Sequence, residues 1–195
     1  MKRKSEAKYV VISVIGPHAG ENEEEIFNRK IADIEISGRT FWLIKSYKAK
    51  PDMVQTICSQ SNKEGENVPC IFIEPSSIGG SIPTKTSNSA KLFSSDKLRW
   101  SEFPKGISPV TGKIDGNAYA LVFNELKLED GAIDLWDYTD FFNPSKSLII
   151  MQGASTLCAI RKNMSKIPSQ EKIKSRFRRI IAVGKLCSPF GVWLK

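Results

Sequence analysis

Apolar residues in this chain occur in short runs that are rich in β-branched and aromatic side chains. Three of these runs lie at residues 9–15, 39–46 and 68–73. Such residues favour extended structure, and a run without strict alternation of apolar and polar positions is typical of a strand buried on both faces. The pattern therefore predicts three strands, and those at 39–46 and 68–73 are expected to be buried. The second of them ends in a polar exit, Lys45-Ser46-Tyr47.

The same pattern recurs in the second half of the chain. Extended segments are predicted at residues 117–128, 148–151, 156–160, 180–183 and 191–194. Short strands therefore outnumber helices. We expect an α+β fold that is mainly β, built as a small mixed β-barrel with a few short helices packed at its openings.

Two segments carry the signals of a helix start. Three glutamates at 23–25 precede the apolar Ile26, and carboxylates are favourable in a first helical turn. The residues that follow, 30–36, alternate between apolar and polar, so this stretch fits either a continued helix or a strand. Pro51 begins a second predicted helix, whose apolar side lies within 53–57.

Residues 75–117 form a long stretch without a clear period, with four prolines and many Ser, Thr, Gly and Lys residues. Long irregular loops in a compact domain are usually functional or disordered. Arg99 and Trp100 lie side by side near its middle. This pair fits either a surface on which a base stacks or a small apolar cluster under the loop.

Composition indicates one domain over residues 1–195, with an apolar fraction of 41% and a charged fraction of 26%. The 29 lysines and arginines exceed the 21 aspartates and glutamates, which gives a net charge of +8. An anionic partner, most often nucleic acid, fits this excess. The alternative is a lysine excess that serves solubility alone.

Much of the positive charge lies in a basic segment near the C-terminus, at about 161–179, where a helix is predicted to start at Pro168. We expect its cations, together with Arg99, to contact phosphates. The predicted phosphate-binding residues are Arg99, Arg161, Lys162, Lys174, Arg176, Arg178 and Arg179.

The four cysteines are scattered, and His18 is the only histidine. The spacings of a structural zinc site do not occur, so we expect no metal and no other cofactor. Cys70, Cys158 and Cys187 lie in or beside apolar runs, which favours buried thiols in a reducing, intracellular compartment. We expect a cytoplasmic protein, or a nuclear one if the source is eukaryotic. The sequence has no apolar stretch long enough to cross a membrane.

One pattern fits a metal-dependent nuclease. Asp115 is followed after about ten residues by Glu125 and Lys127 on a predicted strand. Two carboxylates at such a spacing could hold Mg²⁺, and the lysine could stabilise the charge that develops on the phosphate. We keep this nuclease as an alternative, because the same residues are common on an exposed strand face.

A binding function has wider support from the residues. Bases stack on aromatic faces, and a flipped-out base needs two or three aromatic walls and a few polar groups at its edge. The candidate walls are Tyr47, Trp100 and Trp136, and the candidate polar contacts are Lys45 and Ser46. A third hypothesis is a module that recruits a protein through its basic segment.

The run Phe41-Trp-Leu-Ile-Lys-Ser46 resembles the opening strand motif of the EVE and YTH branches of the PUA-like superfamily. Residues 120–128, 133–135 and 148–157 are similar to later strands of those domains, so the resemblance covers about 38–160. It implies a PUA-like barrel without catalytic activity that receives a methylated base of DNA or RNA in an aromatic cage, with Lys45 and Ser46 at the pocket rim.

This chain departs from the pattern of those domains in two places. The strand at about 9–15 is additional, and the aromatic segment that normally follows the first EVE helix is missing at 56–61. Related domains also occur in modification-dependent restriction systems. This chain has no motor motif, so a separate protein partner would have to supply an effector activity.

Overall fold

The computed structural model describes residues 7–16, 21–44, 49–75, 93–95, 98–100, 119–145, 148, 156–162 and 177–194. The helices are α1 (Glu23–Ser37) and α2 (Pro51–Lys63), with a single 3-10 turn, η1 (Leu135–Asp137), among these residues. The strands in the same part of the chain are β1 (Tyr9–Val14), β2 (Thr40–Ile44), β3 (Pro69–Ile73), β4 (Phe93–Ser95), β5 (Leu98–Trp100), β6 (Tyr119–Asp134), β7 (Tyr138–Asp140), β8 (Thr156–Arg161) and β9 (Phe177–Leu194).

Helix α1 resolves the ambiguity at residues 30–36, which are helical. Asn22 and Glu25 form a capping box at its start: each side chain accepts a hydrogen bond from the other residue's backbone N–H, at 2.9 and 2.8 Å. Gly38 ends the helix in the left-handed region, with a φ of 76° that favours glycine. Because both helix ends are fixed by these contacts, residues 30–36 are helical although apolar and polar residues alternate there.

Two predicted strands are longer than their apolar runs. Strand β6 continues six residues past 128, and a register shift between Leu128 and Gly131 accommodates one extra residue relative to β9. The predicted strands 180–183 and 191–194 are the two halves of the single strand β9, because both halves pair with β6. The prediction of irregular structure over 75–117 was wrong at β4 and β5, which pair with each other.

The strands form one mixed sheet with the order β2-β6-β9-β3-β1-β8-β7, and β4 also pairs with β9. The pair β1–β3 is parallel. The expected α+β, mainly β class is confirmed. The described strands do not close into a barrel by hydrogen bonding, because β2 and β7 end the path without pairing with each other.

Both faces of the central strands are buried, as their uninterrupted apolar runs predict. Phe27 of α1 stacks on Trp42 of β2 with ring centroids 5.2 Å apart, and Phe72 lies 4.5 Å from the same indole. Trp42 therefore belongs to the core between the sheet and the helices. The opposite face has its own cluster, which includes Ile12 and Leu135.

The first strand is a central part of this sheet. Strand β1 lies between β3 and β8, and all six of its residues are buried. In the described part of the chain, neither helix is long and apolar enough to cross a membrane.

Candidate functional site

The turn η1 joins the end of β6 to the start of β7 and carries Trp136. The Asp134 carboxylate accepts a hydrogen bond from the Trp136 backbone N–H at 3.0 Å, which fixes the start of the turn. Leu135 and Tyr138 are buried in the core at either side of it. The indole between them is only partly buried, so it lies at the surface on a well-anchored backbone.

Two basic strand ends meet at this turn. Asp134 and Ile133 pair with Phe177 and Arg178 at the start of β9. On the other side, Tyr138 pairs with Arg161 at the end of β8. The Lys162 backbone N–H then donates to the Asp137 carbonyl at 2.8 Å. We call this set the Trp136 turn, and it comprises Asp134, Trp136, Arg161, Lys162, Phe177, Arg178 and Arg179.

Lys162 contacts the indole directly. Its Nζ lies over the Trp136 ring, 5.0 Å from the ring centroid, at the distance of a cation–π interaction. The side chain of the neighbouring Arg161 is exposed. The turn thus presents an aromatic ring and two cations next to each other.

The two arginines at the start of β9 differ in their surroundings. Arg178 is buried, and desolvation lowers the pKa of its guanidinium although the nearby Glu74 carboxylate opposes the shift. Arg179 is exposed, and its Nε lies 3.4 Å from the carboxylate of Asp130, which is still more exposed. Such a surface pair is worth little, so the Arg179 side chain can exchange this partner for another anion.

The positive charge of the protein is unevenly distributed. Residues 161–179 contain eight lysines and arginines against one acid, Glu171, a net charge of +7. The rest of the chain contains 21 lysines and arginines against 20 aspartates and glutamates, a net charge of +1. Acids lie near the Trp136 turn as well, namely Glu74, Asp130 and Asp137.

The residues on either side of 163–176 in the basic segment, Lys162 and Phe177, both lie at the Trp136 turn. Residues 163–176 contain Lys166, Lys172, Lys174 and Arg176 against one acid, Glu171.

Of the residues predicted for the site, Trp136 and Lys162 are in contact, and Arg161 adjoins Lys162 at the end of β8. Arg178 and Arg179 lie on β9 opposite Ile133 and Ala132 of β6, and the Arg178 side chain is buried. Lys45, Ser46, Tyr47, Lys174, Arg176 and the predicted helix from Pro168 lie outside the described residues. Arg99 and Trp100 lie on β5, opposite Ser94 and Phe93 of β4, and their backbone alone is described.

The residues of the nuclease hypothesis do not form a metal site in the described structure. Glu125 and Lys127 are exposed on β6, where Glu125 pairs with Lys185 of β9. Asp115 lies outside the described residues. In the part of the chain that the structure describes, no three His, Cys, Asp or Glu side chains are grouped as metal ligands.

A buried polar cluster under α1 was missed at the sequence level. Lys30 and Asp33 are both buried, and the Thr40 hydroxyl donates to the Asp33 carboxylate at 3.1 Å. Burial lowers the pKa of Lys30 to about 8, helped by the Arg29 charge and opposed by Asp33 and Glu21. The sequence position of Lys30 could have indicated its burial, because Lys30 lies one turn after Ile26 and Phe27 on the apolar side of α1.

The cysteines differ in part from the prediction. Cys70 and Cys158 are buried as expected, but Cys187 is only partly buried and Cys58 is the third buried thiol. Helix α2 explains the difference, because it directs Cys58 into the core. Burial raises the pKa of Cys58 to about 12, so this thiol remains protonated and unreactive at neutral pH.

Comparison with known protein families, with curated proteins and with solved structures finds no match to this chain. The resemblance to EVE and YTH domains therefore stays a prediction from the residues at 41–46.

Proposed function

We propose that this chain binds nucleic acid and that the Trp136 turn is part of its contact surface. The observation that carries the proposal is that Lys162 lies over the Trp136 ring at a surface turn, with Arg161 next to it in β8 and the start of β9 paired with the end of β6. Cations that contact phosphates, beside an aromatic ring that stacks on a base, are the two elements of single-strand binding surfaces.

The charge distribution supports this proposal. Residues 161–179 carry +7 of the chain's net charge of +8, so a lysine excess spread over the surface for solubility would not explain this segment. The cations are concentrated in a few stretches, and residues 163–176 begin and end beside η1. A local concentration of cations attracts a polyanion more strongly than the same charge spread over a surface.

We also propose the finer hypothesis of a PUA-like barrel that receives a modified base. Two features support the barrel. Strands β6 and β7 follow each other in the chain and are joined by η1. Strand β6 pairs with β9, and β7 pairs with β8, at the two ends of the path β9-β3-β1-β8. The turn η1 therefore connects the two ends of this path. In addition, the cluster that contains Ile12 and Leu135 is formed by residues of the sheet and η1 together with Leu148.

The experiment is a titration of labelled oligonucleotides at about 50 and 200 mM salt, followed by fluorescence anisotropy. The panel contains single-stranded and duplex DNA and RNA, each unmodified and with methylated adenine or cytosine. We expect salt-sensitive binding to at least one of them. A methylated base that binds no more tightly than its unmodified counterpart would remove the modified-base hypothesis and leave nucleic-acid binding intact.

A double variant tests the surface itself. Replacing Arg161 and Arg179 by glutamine should lower the slope of log affinity against log salt by about two, about one per lost phosphate contact. The matched control is Lys63→Gln, at the exposed end of α2, which should leave the slope unchanged. If no oligonucleotide binds with salt-sensitive affinity, the proposal is wrong and the protein-recruitment hypothesis gains support.

A further inference from the structure

The contact between Lys162 and Trp136 places a cation on a ring face that a base could use. The Lys162 backbone is held by Asp137, and the Trp136 backbone is held by Asp134. The contact between the two side chains is therefore the movable part of the arrangement. The ammonium group over the partly buried indole is held by a single cation–π contact, which a stronger anionic partner can replace.

We propose that Lys162 and Trp136 form one exchangeable binding element that selects an unpaired nucleotide. An unpaired base stacks on the indole face that Lys162 covers, and the displaced ammonium binds a phosphate of the same strand. The proposal rests on the proposed function and names its ligand class, a single strand with accessible bases. A paired duplex cannot use the element, since its bases are already stacked.

Physical chemistry favours this exchange for a single strand. A stacked base covers the ring face and so compensates for the single cation–π contact that it replaces. The displaced ammonium also gains a charge-assisted hydrogen bond to phosphate. A polyanion without bases offers only the second gain, so it should bind this element more weakly.

The first test compares a single strand with its duplex and with an abasic strand of equal length. Trp136→Leu should weaken binding of the single strand by about tenfold and leave the abasic strand unchanged within twofold. Trp136→Phe, which keeps an aromatic face, should restore most of the loss. An equal loss for all three ligands would overturn the proposal, because the indole would then act through the fold alone.

The second test is a double-mutant cycle that separates exchange from a fixed contact. In the wild type, Lys162→Met removes a phosphate contact but also removes the contact that must break before stacking. In the Trp136→Leu background only the first effect remains. Lys162→Met should therefore weaken single-strand binding more in the Trp136→Leu background than in the wild type. Equal losses in both backgrounds would overturn the exchange.

Two controls complete the design. Lys63→Met removes an exposed lysine of α2 and should change affinity less than twofold in both backgrounds. Protons over a ring face resonate upfield, so the Lys162 side chain should lose its upfield shift when the single strand is added. If the shift persists in the saturated complex, exchange is wrong although nucleic-acid binding stands. If no oligonucleotide binds at all, the proposed function itself fails, and this inference fails with it.

Discussion

Lys30 and Asp33 form a buried ion pair within α1, with the Lys30 Nζ 3.8 Å from the Asp33 Oδ2. Asp33 faces β2, where the Thr40 hydroxyl donates to the same carboxylate oxygen. Burial of a pair at this separation costs desolvation energy that the attraction between the two charges only partly returns. The lowered pKa of Lys30 expresses this cost.

Because of this pair, we expect the free energy of unfolding to change with pH in the alkaline range. The pKa of Lys30 falls from an ordinary 10.5 to about 8 in the folded protein, so between these values the unfolded chain binds more protons. Stability therefore rises with pH in this window, by up to ~1.4 kcal/mol per pH unit. Urea denaturation at pH 7, 8, 9 and 10 should show this rise in the wild type relative to Lys30→Met.

The comparison with Lys30→Met removes the contribution of other groups that titrate at high pH. Lys63→Met, at an exposed position of α2, is the matched control and should keep the wild-type dependence. Parallel curves for the wild type and Lys30→Met would contradict the prediction.

A second ionic cluster ties α2 to the start of β1 and should act at acid pH. The Glu64 carboxylate accepts hydrogen bonds from Lys8 Nζ at 2.6 Å, from the Tyr9 hydroxyl at 2.7 Å and from Gln60 at 2.9 Å. These bonds lower the pKa of Glu64 from 4.5 to about 2. The stability that they contribute is present above pH 4.5 and is lost as the pH falls towards 2.

Glu64→Gln should therefore flatten the loss of stability between pH 4.5 and 2, as measured by thermal unfolding at closely spaced pH values. Glu66→Gln is the control, because its side chain is exposed two residues away. A variant Glu64→Gln that keeps the full acid dependence would show that other carboxylates produce it.

The part of the fold that could be predicted from the sequence is the part set by local pattern. Runs of β-branched and aromatic residues located β1, β2 and β3. Burial on both faces, predicted for β2, is incomplete there, because Trp42 and Leu43 are only partly buried. The continuation of β6 past Leu128 was not visible. Asp130 and Gly131 signal a turn locally, but pairing with β9 keeps them in the strand.

In the candidate site, too, the sequence predicts the residues but not the strand pairings that bring them together. Trp136 and the basic residues after 160 could be named from charge and aromatic content alone. That the two ends of the basic segment meet at η1 depends on the pairings of β8 with β7 and of β9 with β6, which link residues far apart in sequence. Sequence spacing does not determine such pairings. The same holds for Lys8 and Glu64, which a helix and a strand bring together across 56 positions.

Gly191 marks a close approach between α2 and β9 that a larger residue should disrupt. A Cβ at Gly191 would lie 2.9 Å from the Pro51 Cα, which is backbone and cannot rotate away. Gly191→Ala should therefore lower the free energy of unfolding by about 1–3 kcal/mol, the usual cost of overpacking. Urea denaturation measures it. Gly16→Ala is the control, because nothing lies within 4 Å of its Cβ, and an equal loss there would contradict the contact as the cause.

Asp134 should determine how firmly the Trp136 turn is held. Its carboxylate accepts from the Trp136 N–H, and Asp134→Ala removes that acceptor, whereas Asp134→Asn keeps an amide oxygen in its place. Loss of a capping acceptor costs about 1 kcal/mol. Asp134→Ala should accordingly speed hydrogen exchange of the Trp136 amide by about fivefold, while Asp134→Asn stays within twofold of the wild type. Because Asp134 is buried beside β9, exchange at the Leu121 amide of β6 serves as the reference. If both amides accelerate equally in Asp134→Ala, the carboxylate stabilises the whole sheet and has no separate effect on the turn.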